Sequence, residues 1–404
     1  MAMLNATLSK IRQYIPTHIF TFFQPFYHYK LSLLAAIFYC FPSRKIKVIG
    51  VTGTKGKSTT TEIINAILEK TGYKTALSNT IRYKIGSQST PNKFKMSMPG
   101  RFFIQKFIRQ AVNEKCDYII LEMTSQGVAQ YRHKFIELDA LVFTNLSPEH
   151  IESHGSYKKY RDAKLEIAKE LSKSNKRPRI IIVNDDDKES EKFLAFPADI
   201  KKKFNINENI ETPLMGEFNK YNVLGAVTLC RELGIKEDII EKAIINFKEV
   251  PGRVESIDCG QDFKVIVDYA HTTDSLEKLY RTFPGRKICV LGGTGGGRDS
   301  WKRNEMGRVA DQYCDEIILT DEDPYDEDPQ KIVADVNEGI KNRKVKIIMD
   351  RRQAIREALK MARTDDAVLI TGKGTDPYIM GPRGSKTPWS DATVAKEELL
   401  NIGN

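Results

Sequence analysis

From Ile46 to the C-terminus, short apolar runs alternate with stretches of helical periodicity. The runs "KIKVIGV", "DYIILEM", "ALVFTNL" and "RIIIVND" are brief and rich in β-branched residues, the signature of buried strands. Between them, segments such as "KSTTTEIINAILEKTG" and "YKKYRDAKLEIAKEL" repeat apolar positions every three or four residues, as amphipathic helices do. This alternation predicts a mostly parallel sheet covered by helices on both faces. "VPGRVES", near Val250, marks a boundary. A second series follows: "FKVIVDYAH", "RKICVLGGTGGGRD", "DEIILTDEDP", "VKIIMD" and "DAVLITGKGTDP". The expectation is an α/β chain with a phosphate-loop domain over 46–249 and a Rossmann-like domain over 250–404. Ligands of open α/β sheets sit beyond the carboxyl ends of the strands. Polar clusters follow the strands in both series, so two facing domains would put both sets of loops around one cleft.

Residues 1–45 break the pattern. "IFTFFQPFYHYKLSLLAAIFYCFP" is dense in aromatics but interrupted by Gln24, Pro25, His28 and Lys30. Its longest clean apolar run, Leu33 to Phe41, falls well short of the roughly 20 residues that span a bilayer. No small-residue cleavage site follows, which argues against a signal peptide. A short helical N-terminal extension is expected, packed on the phosphate-loop domain. The alternative is peripheral contact with the inner face of the membrane, aromatics down, with Lys10, Arg12, Lys30, Arg44, Lys45 and Lys47 toward lipid phosphates.

Length and composition narrow the class. A chain of 404 residues needs more than one ordinary core. The net charge of +10 fits nucleic acid, a membrane surface or an anionic substrate. With no basic tail and no Arg-rich helix interleaved with aromatics, no nucleic-acid partner is expected. The six cysteines form no C-x-x-C or zinc-type spacing, and they read as small core residues of a cytoplasmic protein.

Candidate chemistry begins at "VTGTKGKSTTTE", Val51 to Glu62. It follows a strand and opens a helix, the context a phosphate loop requires, although its glycines are not spaced as G-x-x-x-x-G-K-[ST]. Backbone N–H groups at the helix start would face an anion, with the helix dipole assisting. Lys57 would reach the phosphates and the Ser58 hydroxyl would ligate Mg²⁺.

"GVTGTKGKSTT" closely resembles the ATP loop of the Mur ligases, which join amino acids to the peptidoglycan precursor. Further landmarks occur in the family's order: "LEMTSQGV", "FTNLSPEHIESHG", "YRDAKLEIAKEL", "GEFNKYNVLGA", "VPGRVE", "DYAHTTDSLEK", "GGTGGGRD", "DEDP" and "GKGTDPY". The resemblance is greatest to the tripeptide-synthetase type, which adds the third peptide residue. It implies that a carboxylate attacks the γ-phosphate of ATP and that an amine then displaces the phosphate, so metals and cations must surround the developing charge. On that resemblance, Gly53, Thr54, Gly56, Lys57, Ser58 and Thr59 cradle the phosphates. Ser58 and Glu122 hold one Mg²⁺; His150 and Lys164, the latter as a carbamate, serve a second. Asn219 and Asn222 lie near the adenine, Arg253 reaches the γ-phosphate, and Asp268 and His271 belong to a nucleotide-facing loop. Taken alone, Lys164 reads as a solvated helix residue and the two asparagines as caps.

The substrate side departs from the family pattern. Its Thr-Thr-Pro is Ser97, Met98 and Pro99 here, and its Ser-Ser-His is Thr124, Ser125 and Gln126, while Arg132 keeps the position of an acceptor-binding arginine. Arg298 matches the arginine that binds the amino acid's α-carboxylate. The arginine of Asp-Asn-Pro-Arg, which holds the second carboxylate of diaminopimelate, is replaced in "EDPY", Glu322 to Tyr325. Six acidic residues crowd Asp321 to Asp328, either as a solvated loop or facing the site. If they face it, Asp323 and Tyr325, with Gly372 and Asp376 of "GKGTDPY", suit a cationic side chain such as lysine better than diaminopimelate. The family's UDP-binding domain normally precedes the ATP loop, whereas 45 residues precede the first strand here.

The function expected is ATP-dependent amide ligation in cell-wall precursor synthesis by a monomer, adding a diamino acid to a muramoyl peptide. Two rivals are a related ligase acting on a lipid-linked or other peptide acceptor, and a catalytically inactive phosphate-loop regulatory protein. The presence of Glu122, His150, Lys164 and Arg253 counts against the last.

Overall fold

The computed structural model describes residues 17–149, 154–297 and 300–402. Helix α1 (Thr17–Phe38) precedes an eight-stranded sheet. Its strands are β1 (Lys47–Thr52), β2 (Thr75–Ser78), β3 (Arg82–Ile85), β4 (Gln88–Pro91), β5 (Tyr118–Glu122), β6 (Ala140–Phe143), β7 (Ile180–Asn184) and β8 (Ile200–Phe204). The helices among them are α2 (Lys57–Lys70), α3 (Arg101–Asn113), α4 (Ser125–Ala129), α5 (Tyr157–Ser172) and α6 (Ser190–Leu194); α7 (Glu217–Glu232) and α8 (Glu237–Ile245) follow. The spatial order is β4-β3-β2-β5-β1-β6-β7-β8, parallel except for the β3 and β4 hairpin at one edge.

Side-chain alternation on these strands sorts the core into two layers. Val48, Leu121 and Phe143 face α3 and α5, while their neighbours Val51, Ile120 and Val142 face α2 and α7. Because both faces are covered, the central strands read as continuous apolar runs, and the expected doubly covered sheet is found. The edge strand β8 escaped the pattern. Its Lys201, Lys202 and Lys203 are exposed and discourage edge-to-edge pairing.

The second half repeats the architecture. Its strands are β9 (Glu255–Ser256), β10 (Lys264–Asp268), β11 (Lys287–Leu291), β12 (Glu316–Leu319), β13 (Val345–Ile347) and β14 (Ala367–Thr371), followed by a hairpin of β15 (Tyr378–Met380) and β16 (Lys386–Pro388). Its helices are α9 (Thr273–Thr282), α10 (Trp301–Tyr313), α11 (Pro329–Asn337), α12 (Arg351–Met361) and α13 (Asp391–Ile402). The order β13-β12-β11-β14-β10-β9 inserts β14 between β10 and β11, so polar loops gather at the ends of those three strands.

Cys289 on β11 and Cys314 after α10 are joined by a disulfide, not left as unpaired core residues. The register of β11 beside β12 brings their Cα atoms to 6.1 Å, a closeness that sequence spacing does not reveal.

Helix α1 docks on the first half. Ala35 and Ala36 are fully buried, Ser32 Oγ donates to the Tyr131 carbonyl at 2.7 Å, and the Tyr29 ring meets Phe135 edge-on. Its outer face leaves Phe23, Phe26, Leu34, Ile37 and Phe38 exposed. Among the described residues, no helix is long and apolar enough to cross a membrane.

Candidate active site

Three adjacent parallel strands build the phosphate end. Val51 of β1 is level with Glu122 of β5, and Thr52 with Phe143 of β6, so the loop after β1 is flanked by Glu122 and by Thr144 and Asn145. The loop's shape depends on two glycines. Gly53 and Gly56 both have positive φ. A Cβ on Gly53 would run into Thr144 Oγ1, and one on Gly56 into Asn222 Oδ1. Thr54 N–H donates to the Asn145 carbonyl at 2.8 Å and Lys55 N–H to Asn145 Oδ1 at 2.9 Å, which moors the loop before α2 begins.

At the head of α2, Ser58 Oγ donates to Glu122 Oε2 at 2.8 Å. The same carboxylate accepts from Thr80 N–H at 2.9 Å, from Thr80 Oγ1 at 3.0 Å and from Ser97 Oγ at 2.8 Å. Burial alone would raise the Glu122 pKa. The Lys57 charge and these hydrogen bonds outweigh it, and the group is held below its ordinary value. Lys57 folds back to donate to the Thr54 carbonyl at 2.7 Å. Desolvation lowers its pKa against the opposing pull of Glu122 and Glu149.

Lys164 corrects the plain reading of a helical lysine as solvated. It is 2% exposed, donates to the Gly53 carbonyl at 2.5 Å, and lies over the Tyr160 ring. Desolvation first, and the Lys57 charge second, push its pKa well below the ordinary lysine value. Tyr160 in turn lies 2.9 Å from Thr54 Oγ1. Asn219 and Asn222 are bonded to each other at 2.9 Å at the start of α7, with Asn222 closing over Gly56. Beside them a cavity of about 450 Å³ is lined by Asn209, Thr212, Leu214, Gly216, Glu217 and Lys220.

Distant motifs of the second half converge on the same side. A Cβ on Gly252 would strike the backbone of Gly374 and Thr375, and one on Gly374 would meet the Gly252 carbonyl and Tyr269. "VPGRVE", "DYAH" and "GKGTDPY" are therefore one packed unit. Within it the Arg253 guanidinium lies 4.3 Å from the Tyr269 ring centroid, and Asp268 accepts from Val254 N–H at 2.8 Å and Ala270 N–H at 2.6 Å. His271 is 2.7 Å from the Tyr269 carbonyl, and burial followed by the Lys55 charge lowers its pKa to about 3.

The acceptor-side residues also meet. Thr124 caps α4, its Oγ1 accepting from Gly127 N–H at 3.2 Å, and its own N–H faces Met98 Sδ. Arg132 donates to Gln130 Oε1 at 2.6 Å and to the Met98 carbonyl. Burial and the Arg101 charge lower its pKa to about 10. A cavity of about 500 Å³ opens nearby, walled by Gln24, Pro25 and His28 of α1 and by Gln126, Ala129, Gln130 and His154.

At the amino-acid end, the acidic run divides between its two readings. Glu322 and Asp323 are buried, whereas Asp326 and Asp328 are exposed. Asp323 and Asp376 are already neutralised. Lys373 is 2.7 Å from Asp323 Oδ1, and Lys95, from the first half, is 2.7 Å from Asp323 Oδ2 and 2.8 Å from Asp376 Oδ2. The acidity read from the sequence is therefore not a free negative pocket. Tyr325 has φ +53°, and its N–H donates to the Met380 carbonyl. A Cβ on Gly372 would run into Glu322 Oε2. His150 and Arg298 lie outside the described residues.

Sequence reasoning missed Thr80, Thr144, Asn145, Tyr160 and Lys95. Asn145 and Tyr160 sit inside quoted landmarks and were within reach of it. Thr80 and Lys95 lie in a segment that matches no landmark.

The Mur ligase middle domain matches residues 51–204, and the Mur ligase glutamate ligase domain matches residues 252–374. The chain is 38% identical to the UDP-N-acetylmuramoyl-L-alanyl-D-glutamate–2,6-diaminopimelate ligase of Syntrophomonas wolfei, over 91% of this chain and 81% of that one. It is 36% identical to the protein of the same name from Geobacillus kaustophilus, over 92% and 83%. Among solved structures, a ligase of that name superposes with a TM-score of 0.61 at 24% identity, covering 89% of this chain and 79% of the other. Folylpolyglutamate synthase of Mycobacterium tuberculosis superposes with a TM-score of 0.68 at 15% identity, covering 91% and 93%. These last two likenesses show the shared fold. By its two matching domains and its similarity to curated relatives, this chain belongs to the Mur ligase family, ATP-dependent ligases that form amide bonds.

Proposed function

We propose that this chain joins a diamino acid to the terminal carboxylate of a muramoyl peptide in peptidoglycan precursor synthesis, acting as a monomer and releasing ADP and phosphate. The relatives named above are diaminopimelate ligases. The observation that carries the reading is the Ser58–Glu122 contact at the head of α2, with Lys57 adjoining. An anionic carboxylate and a hydroxyl beside a glycine cradle fit a phosphate-bound Mg²⁺. That ion would neutralise charge developing on the transferred phosphoryl group. Lys57 would lie along the β- and γ-phosphates, Asn222 would pack near the adenine, and Arg253 would face the γ-phosphate across the cleft. Asp268 fixes the backbone of the loop that carries Tyr269, the platform on which Arg253 rests. With the second half closed on the first, water is kept from the activated acyl group, and the amine attacks instead.

Lys164 fits the carbamate role. Burial pushes the Lys164 pKa well down, which favours the neutral amine that attacks carbon dioxide, and addition with loss of one proton leaves a carboxylate. A second Mg²⁺ would use that carboxylate together with His150. We place the division between the two domains at 249/250, where Val250 begins the turn carrying Arg253, with residues 1–45 as a separate extension.

The test is ADP and phosphate release measured against a muramoyl dipeptide and candidate amino acids. Turnover is expected only when acceptor and amino acid are both present; ATP cleavage that needs neither would remove the proposal. A second reading, a lipid-linked acceptor, is favoured by the exposed aromatic face of α1 and by Lys30 lying 4.4 Å from the Phe26 ring centroid. It expects the full chain, unlike a truncation from Ser43, to co-sediment with anionic liposomes at low salt. Absence of binding by both would leave α1 as a packing element.

A further inference from the structure

Helix α1 lies ahead of the matched middle domain, yet it lines the acceptor-side cavity; what that lining does rests on the ligase reading above. Gln24, Pro25 and His28 of α1 share the cavity of about 500 Å³ with Gln126, Gln130 and His154, and among the described residues no carboxylate lines it. Arg101, the first residue of α3, ties the two sides together. Its Nε donates to the Gln130 carbonyl at 3.0 Å, and its Nη2 donates to His28 Nδ1. Arg132 reaches the same glutamine, its Nη2 donating to Gln130 Oε1 at 2.6 Å.

The two arginines fix what these lining groups can do. A guanidinium only donates, so His28 Nδ1 must accept, and in the neutral ring the proton then sits on Nε2. The ring is neutral at neutral pH, because burial first, and the Arg101 and Arg132 charges after it, lower its pKa to about 4. By the same rule Gln130 commits its Oε1 to Arg132, which leaves its side-chain NH₂ as a donor. Among the described residues neither His28 Nε2 nor Gln130 Nε2 has a hydrogen-bond partner, and neither atom is closed off from solvent. Two open donors therefore stand beside two guanidiniums.

The positive charge there is unanswered. Among the described residues Arg101 and Arg132 are bonded only to neutral groups. Burial lowers the pKa of both, and for Arg132 the Arg101 charge adds to it. Helices α1 and α3 contain no acidic residue that could compensate. Partly buried charge without a counter-charge is unfavourable, and an anionic ligand relieves it through charge-assisted hydrogen bonds.

We propose that α1 and Arg101 complete an anion subsite for the acceptor: His28 Nε2–H and the Gln130 side-chain amide hold a carboxylate or phosphate of the acceptor other than the carboxylate that reacts, and Arg101 is the residue that positions His28. Glu122 ends β5 and α4 begins at Ser125, so the reacting end and this anchor belong to one strand end. A cationic or purely accepting neutral group does not fit as well, since an ammonium finds no acceptor on these two atoms and a neutral group leaves the guanidinium charge unanswered. Arg101 and the whole of α1 lie outside every sequence landmark of the family, so this contribution is the chain's own.

The test measures KM and kcat in wild type, His28→Leu, His28→Gln, Arg101→Met and Arg101→Lys with three acceptors. These are a muramoyl dipeptide joined to a nucleoside diphosphate, the same dipeptide without the diphosphate, and the first compound with its non-reacting carboxylate converted to an amide. His28→Leu is expected to raise KM for the intact acceptor roughly tenfold or more, the scale of one hydrogen bond to a charged group, with a smaller effect on kcat and none on KM for ATP. His28→Gln, which keeps an N–H donor, is expected to retain most of the affinity. Arg101→Met is expected to weaken the acceptor and to flatten the rise of its KM with salt, whereas Arg101→Lys keeps that salt dependence. The analogue that lacks the held anion should show the same KM in wild type and His28→Leu, so the two analogues tell carboxylate from phosphate. Equal KM for the intact acceptor in wild type and His28→Leu, or a His28→Leu penalty that persists with both analogues, would overturn the proposal. So would an equal rise in KM for ATP, the mark of a general loosening of the first half. A wild-type enzyme that ligates none of the acceptors would overturn instead the reading on which the proposal rests, so the two failures are distinguishable.

Discussion

The phosphate end and the amino-acid end of the cleft are built by opposite means. At the phosphate end, Gly53, Gly56, Lys57 and Ser58 are contiguous, and the parallel register of β1 with β5 delivers Glu122 to them. All of these groups belong to the first half, and the hydrogen bonds that hold them run within it. At the amino-acid end, Lys95, Glu322, Asp323, Lys373 and Asp376 come from three separate loops, and the bond network closes only because the two halves meet. The difference teaches where each kind of damage will appear. A change at the phosphate end removes chemistry from a frame that stands by itself, whereas a change at the amino-acid end also unbalances buried charge.

The largest effect should come from Glu122→Gln. The amide keeps the volume and the hydrogen bonds from Thr80 but loses the charge. A fall in turnover of at least about 100-fold is expected, the scale of losing one principal electrostatic group, with thermal unfolding little changed. Near-normal phosphate release would break the assignment.

Asp323→Asn should show the contrasting behaviour. Lys373, fully buried, would lose its carboxylate at 2.7 Å and keep only Asp376 at 3.8 Å, and breaking a buried pair costs about 3 kcal/mol or more. Calorimetry should find a large drop in unfolding temperature, larger than that of Glu122→Gln. If the two variants unfold alike, the two ends of the cleft do not differ in this way.

Gly56→Ala sharpens the description of the phosphate end. Its positive φ and the approach of Asn222 should cost about 1–3 kcal/mol and raise KM for ATP roughly tenfold or more. Adding Asn222→Ala should restore part of the lost stability by removing the collision, without restoring ATP affinity. Full tolerance of the single change would mean that the loop is not shaped as described.

The smallest effect concerns Lys164 in carbon-dioxide-free buffer. Its pKa is lowered in the folded chain, so between that depressed value and the ordinary lysine value the unfolded chain binds more protons. Its contribution to stability therefore rises with pH across that window and is unfavourable below it. Lys164→Met should be more stable than wild type at neutral pH, by about 1–3 kcal/mol, with the gain shrinking as pH approaches 10. A gain that grows with pH would show the opposite sign. Added bicarbonate should narrow the gain if the amine becomes a carbamate.

Much was legible in the chain itself. The parallel strands that form the sheet centres are apolar throughout because both faces are covered, and a fully buried strand needs no tertiary context to be recognised. The glycine loop, "LEMTSQGV" and "VPGRVE" were readable because their chemistry demands particular residues at particular spacings along one strand end or turn. Other features left no such trace. The lysines of β8 satisfy an exposed edge, not a core, so no apolar period announces the strand. Lys164 has the flanking sequence of a solvated helix face. Only the packing of α5 against the phosphate loop buries it and lowers its pKa. The acidic run from Asp321 to Asp328 carried its charges openly but not their partners. Lys95 lies more than two hundred residues away, and nothing local to either segment records the meeting. The sequence by itself determined the two sheets, the phosphate loop and the carboxylate beside it, since these follow from burial period and contiguous geometry. Tertiary structure alone decided which charges are buried and which are paired across the cleft, since those are set by distances between segments that share no neighbourhood in the chain.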